Sequence, residues 1–223
     1  MKKLIVTLIA ISLLILGSAS ISLALTSVTA TLVVTADNIF NINVYRPSTR
    51  TQIVPLESNY NNWQNTDTYT ITLDWLETNY ISFYVTNVGN NSPTNPAGFL
   101  AQITLDRPGA HFAETGTNQI LSGDEDYWWI SSHLPYLDTP TFYANNTGTE
   151  GNPIWWNNNG GPISGIAGDA EWIWTDNNFV QGGDDAAYVS VALTPVPEPS
   201  TLFLLGTGLI GLGAYGRFRR KKK

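Results

Sequence analysis

Apolar residues recur at every second position in short runs along most of this chain. Leu32, Val34 and Ala36 form one run, and Phe40, Ile42 and Val44 keep its phase beyond Asp37 and Asn38. Tyr69, Ile71 and Leu73 form another. Ile81, Phe83 and Val85 follow, ending at the turn-rich Asn87-Val88-Gly89-Asn90-Asn91. Phe99, Ala101, Ile103 and Leu105 are stopped by Arg107-Pro108-Gly109; Trp172 and Trp174 alternate later, and Val189, Val191 and Leu193 close the series. A period of two puts one face of a strand on a core and the other toward solvent. No stretch between these runs carries an apolar stripe of helical period over three turns. Seven or more short strands in about 160 residues predict an all-β body, a single antiparallel β-sandwich.

The two ends follow other rules. Met1-Lys2-Lys3 is followed by an apolar run from Leu4 to Leu16 and then by small residues, the order of an export signal. Cleavage after Ala24 is expected, with Ala30 as the alternative, so residues 1–24 are assigned to a signal peptide and signal peptidase is an expected partner. An uncleaved membrane anchor fits less well, because the run is short and small residues follow it. At the other end, Val196-Pro197-Glu198-Pro199-Ser200 precedes an apolar stretch from Leu202 to Tyr215. The chain then ends in Arg217, Arg219, Arg220, Lys221, Lys222 and Lys223 around Phe218. Fourteen helical residues span about 21 Å against roughly 30 Å of bilayer core. The long stems of Arg217 and Arg219 extend that reach by snorkelling. The basic tail belongs on the cytoplasmic side and the body outside.

This ending closely resembles the PEP-CTERM sorting signal: the motif Pro197, Glu198 and Pro199, a Gly-rich transmembrane helix and a basic tail, here residues 196–223. The resemblance implies an exosortase as partner, cleavage near the motif, and membrane anchorage before processing. It also implies release to, or retention at, the surface of a bacterium that makes exopolysaccharide. The string Gly206-Thr207-Gly208-Leu209-Ile210-Gly211 inside the helix imitates a dinucleotide fingerprint. It has no βαβ context and no downstream acid, so a nucleotide site is rejected.

Charge sharpens the division. From Thr31 to Val196 three arginines (Arg46, Arg50, Arg107) face 17 carboxylates, a net −14. A body so acidic repels phosphate backbones, which excludes nucleic acid as a partner. There is no cysteine, hence no disulfide and no thiolate chemistry. Three segments of the 25–195 body are similar to galactose-binding-like jelly rolls. They are Thr35 to Phe40, Asn79 to Asn87 leading to Asn95 to Ala101, and Ala170 to Thr175, with Asn62-Trp63 between the first two. The late position of the Trp-Ile-Trp segment suggests a permuted order with first and last strands adjacent. Residues 108–168, rich in Trp and Asn, read as an insertion.

Catalytic chemistry finds little footing. His111 and His133 lack metal-ligand spacing, and no G-x-S-x-G elbow exists. Asp124-Glu125-Asp126 and Asp184-Asp185 offer acids for a glycan hydrolase or lyase, or oxygens for calcium; neither run has an EF-hand pattern, and neither is preferred. Carbohydrate contact has more support, since aromatic faces and amides suit sugar rings and hydroxyls. Trp128, Trp129, Trp155, Trp156 and Asn157 are the candidates, with one tryptophan of each pair expected in the core. The expected role is that of an exported, non-catalytic protein in contact with extracellular polysaccharide or biofilm matrix. A glycan-cleaving enzyme and a purely structural surface protein are the alternatives.

Overall fold

The period-two runs become strands that pair into two antiparallel sheets. The computed structural model describes residues 27–46, 49–54, 63–75, 77–92, 94–124, 127–132, 138–147, 162–176 and 182–197, together with Gly208. The strands are β1 (Ser27–Asp37), β2 (Ile39–Arg46), β3 (Thr49–Val54), β4 (Asp67–Asp74), β5 (Asn79–Thr86), β6 (Gly98–Leu105) and β7 (His111–Phe112). They continue with β8 (Gln119–Leu121), β9 (Trp128–Ser131), β10 (Thr141–Asn145), β11 (Glu171–Trp174), β12 (Ala186–Leu193) and β13 (Pro195–Val196). The first sheet has the order β10-β11-β6-β1-β4 with β8 also on β6; the second is β3-β2-β5-β12-β9; β13 and β7 form a separate ribbon. This all-β sandwich is consistent with a jelly roll.

One continuous alternation feeds both sheets. Val28, Ala30, Leu32, Val34 and Ala36 on β1 and Phe40, Ile42 and Val44 on β2 are all buried. Yet Asp37 pairs with Gly98 in the first sheet and Ile39 pairs with Thr86 in the second. The chain therefore changes sheets across Asn38, whose N–H donates to the Thr86 carbonyl at 2.8 Å and whose Oδ1 accepts from Val88 N at 2.7 Å. Even-numbered side chains stay inside because both sheets face one core.

Aromatic rings fill the space between the sheets. Phe83 on β5 and Phe99 on β6 lie 4.8 Å apart, and the Trp128 ring on β9 lies 6.3 Å from Phe83 and 5.6 Å from Phe99. Each such side chain contributes about 1.5–3 kcal/mol when buried. Residues 108–168, expected as an insertion, supply β7 to β10, and Phe112, Ile120, Trp128 and Ile130 join the main core. The expected adjacency of first and last strands is not observed. β1 lies between β4 and β6, whereas β12 lies between β5 and β9 in the other sheet.

The outer faces of the two sheets differ. On the first, Leu100, Ala144, Ile163, Ile166, Ala170 and Trp172 form a second buried cluster, with Val33 and Trp63 packed against it. Asn146 fastens this cover: its Nδ2 donates to the carbonyls of Ile163, Ile166 and Ala167, and its Oδ1 accepts from Ile163 N at 2.8 Å. Trp172 and Trp174, read as sharing one face, join different clusters. Trp172 enters this outer one, while Ile173 and Trp174 enter the main core. The register of β10 on β11 shifts between Phe142 and Ala144, which breaks simple alternation at this edge.

Residues 1–24, assigned to the signal peptide, and the sorting helix, apart from Gly208, lie outside the described residues. Among those described, no helix is long and apolar enough to cross a membrane.

Candidate functional site

The outer face of the second sheet is set by the residues that alternate with its core positions. On β5, Ile81, Phe83 and Val85 point inward, leaving Tyr80, Ser82 and Tyr84 outward. On β12, Tyr188 and Ser190 alternate with Val189 and Val191; on β9, Trp129 follows buried Trp128. Registers align these into rows. Asn43, Ser82, Ser190 and Trp129 lie in one row, and Asn41, Tyr84, Tyr188 and Ser131 in the next. Tyr45 and Tyr80 are opposite each other beyond them.

The rings of Tyr84 and Tyr188 meet at 4.9 Å with a 44° tilt, and Tyr80 is 46% exposed. Between the aromatics, Ser190 Oγ donates to Ser82 Oγ at 3.2 Å. Asn41 Oδ1 accepts from Tyr84 N at 3.1 Å, which stiffens the β2 side of the row. β5, β9 and β12 contain no Asp, Glu, Lys or Arg. In a body of net −14, these strands form an uncharged strip. Eight residues of β5 or β12 extend it over about 26 Å. Such a surface offers flat apolar rings and neutral hydroxyls, and no ion has to be desolvated when a chain lies on it.

The sequence-predicted sugar contacts fall in different places. Trp128 is 1% exposed, with its Nε1 donating to the Leu121 carbonyl at 2.7 Å. Trp129 is half-buried on the outer face. Trp155, Trp156 and Asn157 lie outside the described residues. The residues that the tryptophan reading passed over are Tyr80, Ser82, Tyr84, Tyr188 and Ser190. Their signal was the polar phase of two strands whose apolar phase had already been used to infer the fold.

A cavity of about 370 Å³ opens at the other sheet's edge, lined by Gly123, Asp124, Trp128, Thr139, Pro140, Phe142, Glu171 and Ile173. It brings Asp124, a candidate from composition, near Glu171, which sequence reasoning did not single out. Asp124 Oδ2 accepts from Leu121 N at 2.9 Å, so the carboxylate also closes its own turn. Gly123 has φ +96°, and a Cβ there would lie 2.1 Å from Glu171 Oε2, so only glycine lets that side chain pass. Glu125, Asp126 and His133 lie outside the described residues, while His111 stands on β7. No group of three His, Cys, Asp or Glu side chains able to hold a metal occurs among the described residues.

On the Asp184 side, the Tyr143 hydroxyl donates to the Thr175 carbonyl at 2.5 Å. Burial pushes the phenol up to about 12; its hydrogen bond with Thr141 opposes this, and the nearby carboxylates of Asp176 and Asp184 add smaller upward pushes.

The sorting end is partly built into the body. Pro195 pairs with Phe112 and Val196 with His111. Glu114 Oε2 accepts from Thr194 N at 3.0 Å, and Ala113 N donates to the Thr194 carbonyl at 2.9 Å. Pro197, the first residue of the Pro-Glu-Pro motif, is buried. Glu198, Pro199 and the basic residues 217 and 219–223 lie outside the described residues.

Together these features define an all-β sandwich whose last strand runs directly into the Pro-Glu-Pro segment. Residues 195–221 match the PEP-CTERM protein-sorting motif. The motif implies export, membrane anchoring before processing, and an exosortase as the processing partner. No curated protein and no solved structure matches the chain, so the likeness to galactose-binding-like domains rests on the sequence segments alone.

Proposed function

We propose that this exosortase-processed protein is a non-catalytic component of the cell surface or extracellular matrix. It holds uncharged polysaccharide on the outer face of the second sheet. The observation that carries this reading is the charge-free strip of Tyr80, Tyr84, Tyr188, Trp129, Ser82 and Ser190 on an otherwise acidic body. Carboxylates elsewhere repel anionic polymers, and the strip itself offers no cation to attract them. The sandwich geometry supports it too, because a buried cluster covers the β10-β11-β6 part of the first sheet's outer face and the second's aromatic rows are partly exposed.

Affinity electrophoresis in gels containing neutral polysaccharides tests the reading. Tyr84→Ala with Tyr188→Ala should weaken retardation about tenfold or more, since each aromatic contact is worth roughly 0.5–1.5 kcal/mol. Because the two half-buried rings also support each other across the strands, the double substitution lowers the melting temperature as well, and retardation is compared well below both melts. Trp155→Ala with Trp156→Ala reports separately on the loop aromatics. Unchanged retardation in both pairs removes glycan contact and leaves a structural surface protein.

A second reading, a glycan hydrolase or lyase, draws on the cavity that gathers Asp124 and Glu171. Release of reducing ends that disappears in Asp124→Asn and Glu171→Gln would favour it. The hydrogen bond that Asp124 makes to its own turn favours a structural carboxylate instead.

A further inference from the structure

Asn91 sits fully buried in the loop between β5 and β6. Its N–H donates to Asp185 Oδ1, its Nδ2 donates to the Asp184 carbonyl at 3.0 Å, and its carbonyl accepts from Gly182 N at 3.1 Å. Its side-chain Oδ1, inaccessible to solvent, has no partner. Buried polar atoms are almost always satisfied, so an orphan oxygen on a residue hydrogen-bonded to both Asp184 and Asp185 marks the place of a missing donor or cation. We propose that Asn91, Asp184 and Asp185 hold a calcium ion at this end of the sandwich.

The donor chemistry selects the cation. Asn91 supplies an amide oxygen and the two aspartates supply carboxylates, each of which commits one oxygen to a neighbour. Asp184 Oδ2 accepts from Thr175 Oγ1 at 2.8 Å, and Asp185 Oδ1 accepts from Asn91. Among the described residues no nitrogen or sulfur ligand stands beside them, which disfavours zinc and its relatives. Calcium accepts irregular sets of six to eight oxygens with water completing the shell, whereas magnesium demands a near-ideal octahedron. Two carboxylates make a low-charge site, so a dissociation constant on the order of 10⁻⁴ to 10⁻³ M is expected, as in extracellular modules.

Of the two acidic Gly-Asp runs, this one is chosen because of Asn91. In the other, Asp124 closes the turn of Leu121, and no orphan oxygen is found there among the described residues. The position also gives the ion a task. Asn87 N donates to the Asp185 carbonyl at 2.7 Å, and Thr86 pairs with Ala186, so the loop and the start of β12 already meet here. Bound calcium would clamp the end of the ladder that carries Tyr84 and Tyr188.

The experiment uses the full chain in detergent, with calcium, magnesium or chelator present, and terbium as a luminescent probe. The Trp174 indole donates to the Asp184 carbonyl at 3.0 Å, close enough to sensitise terbium. Calcium should raise the melting temperature by several degrees and quench terbium emission by displacement, while magnesium at equal concentration does neither. Asp185→Asn keeps an acceptor for the Asn91 N–H but should lose both effects; Asp124→Asn should keep both. In Asn91→Asp the calcium-dependent gain should widen, even where the melt in chelator falls. Equal melting with and without calcium and no sensitised emission would overturn the proposal, leaving a buried water as the partner of Oδ1. A full calcium response in Asp185→Asn, or its loss in Asp124→Asn, would overturn the placement.

Discussion

Asp37 stands where the chain leaves one sheet for the other, 5% exposed, and burial raises its carboxyl from 3.8 to about 7. Between those values the folded chain keeps a proton that the unfolded chain releases. Stability therefore falls as pH rises from about 4 to about 7 and levels off above, the whole excursion being worth about 4 kcal/mol at most. Asp37→Asn should flatten this stretch of the stability profile and raise stability at pH 8; urea melts at pH 5 and pH 8 measure it. A profile unchanged by the substitution assigns the slope to other groups. Asn146 is the opposite kind of buried polar residue, with every bond made. Asn146→Ala strands the carbonyls of Ile163 and Ile166 and the Ile163 N–H, while the Ala167 carbonyl keeps its bond from Ala170 N, and should cost about 2–4 kcal/mol in the same melts. Neither role was legible in the sequence, where Asp37 and Asn146 look like ordinary turn residues. Burial and distant partners are set by the fold.

Among the elements, the apolar phase was legible and the pairing was not. Leu32 to Val44 read as a single alternation, and all its inward residues are buried, but nothing local says that the sheet changes at Asn38. Alternation depends on which side a residue faces, and both sheets share one inside. The tryptophans show the same limit. Trp172 and Trp174 are both buried as expected, yet Trp172 joins the outer cluster and Trp174 the main core, a division that spacing alone does not announce. Residues 108–168 had only scattered short patterns because β7 to β9 are two to four residues long, too short for alternation to register. The site suffered differently. The Tyr and Ser positions of β5 and β12 were in plain view, but a polar phase reads as mere solvent contact until the registers set Tyr84 beside Tyr188.

Considered as a whole, the molecule is an acidic sandwich that ends in a sorting motif, and that motif was the most legible feature of all because its three parts are contiguous in sequence. Replacing Glu198 with Ala should leave full-length protein in the inner membrane, read by fractionation and immunoblot; undiminished surface release would count against exosortase processing. The ribbon of β13 on β7 bears on where this protein ends once mature. Pro195, Val196 and Pro197 are already woven into the sandwich, so a scissor acting beyond them leaves a finished hem, whereas one acting before them would unpick it. A recombinant soluble version should accordingly stop after Pro197, since stopping after Leu193 would leave Phe112 and Glu114 without the partners that cover them.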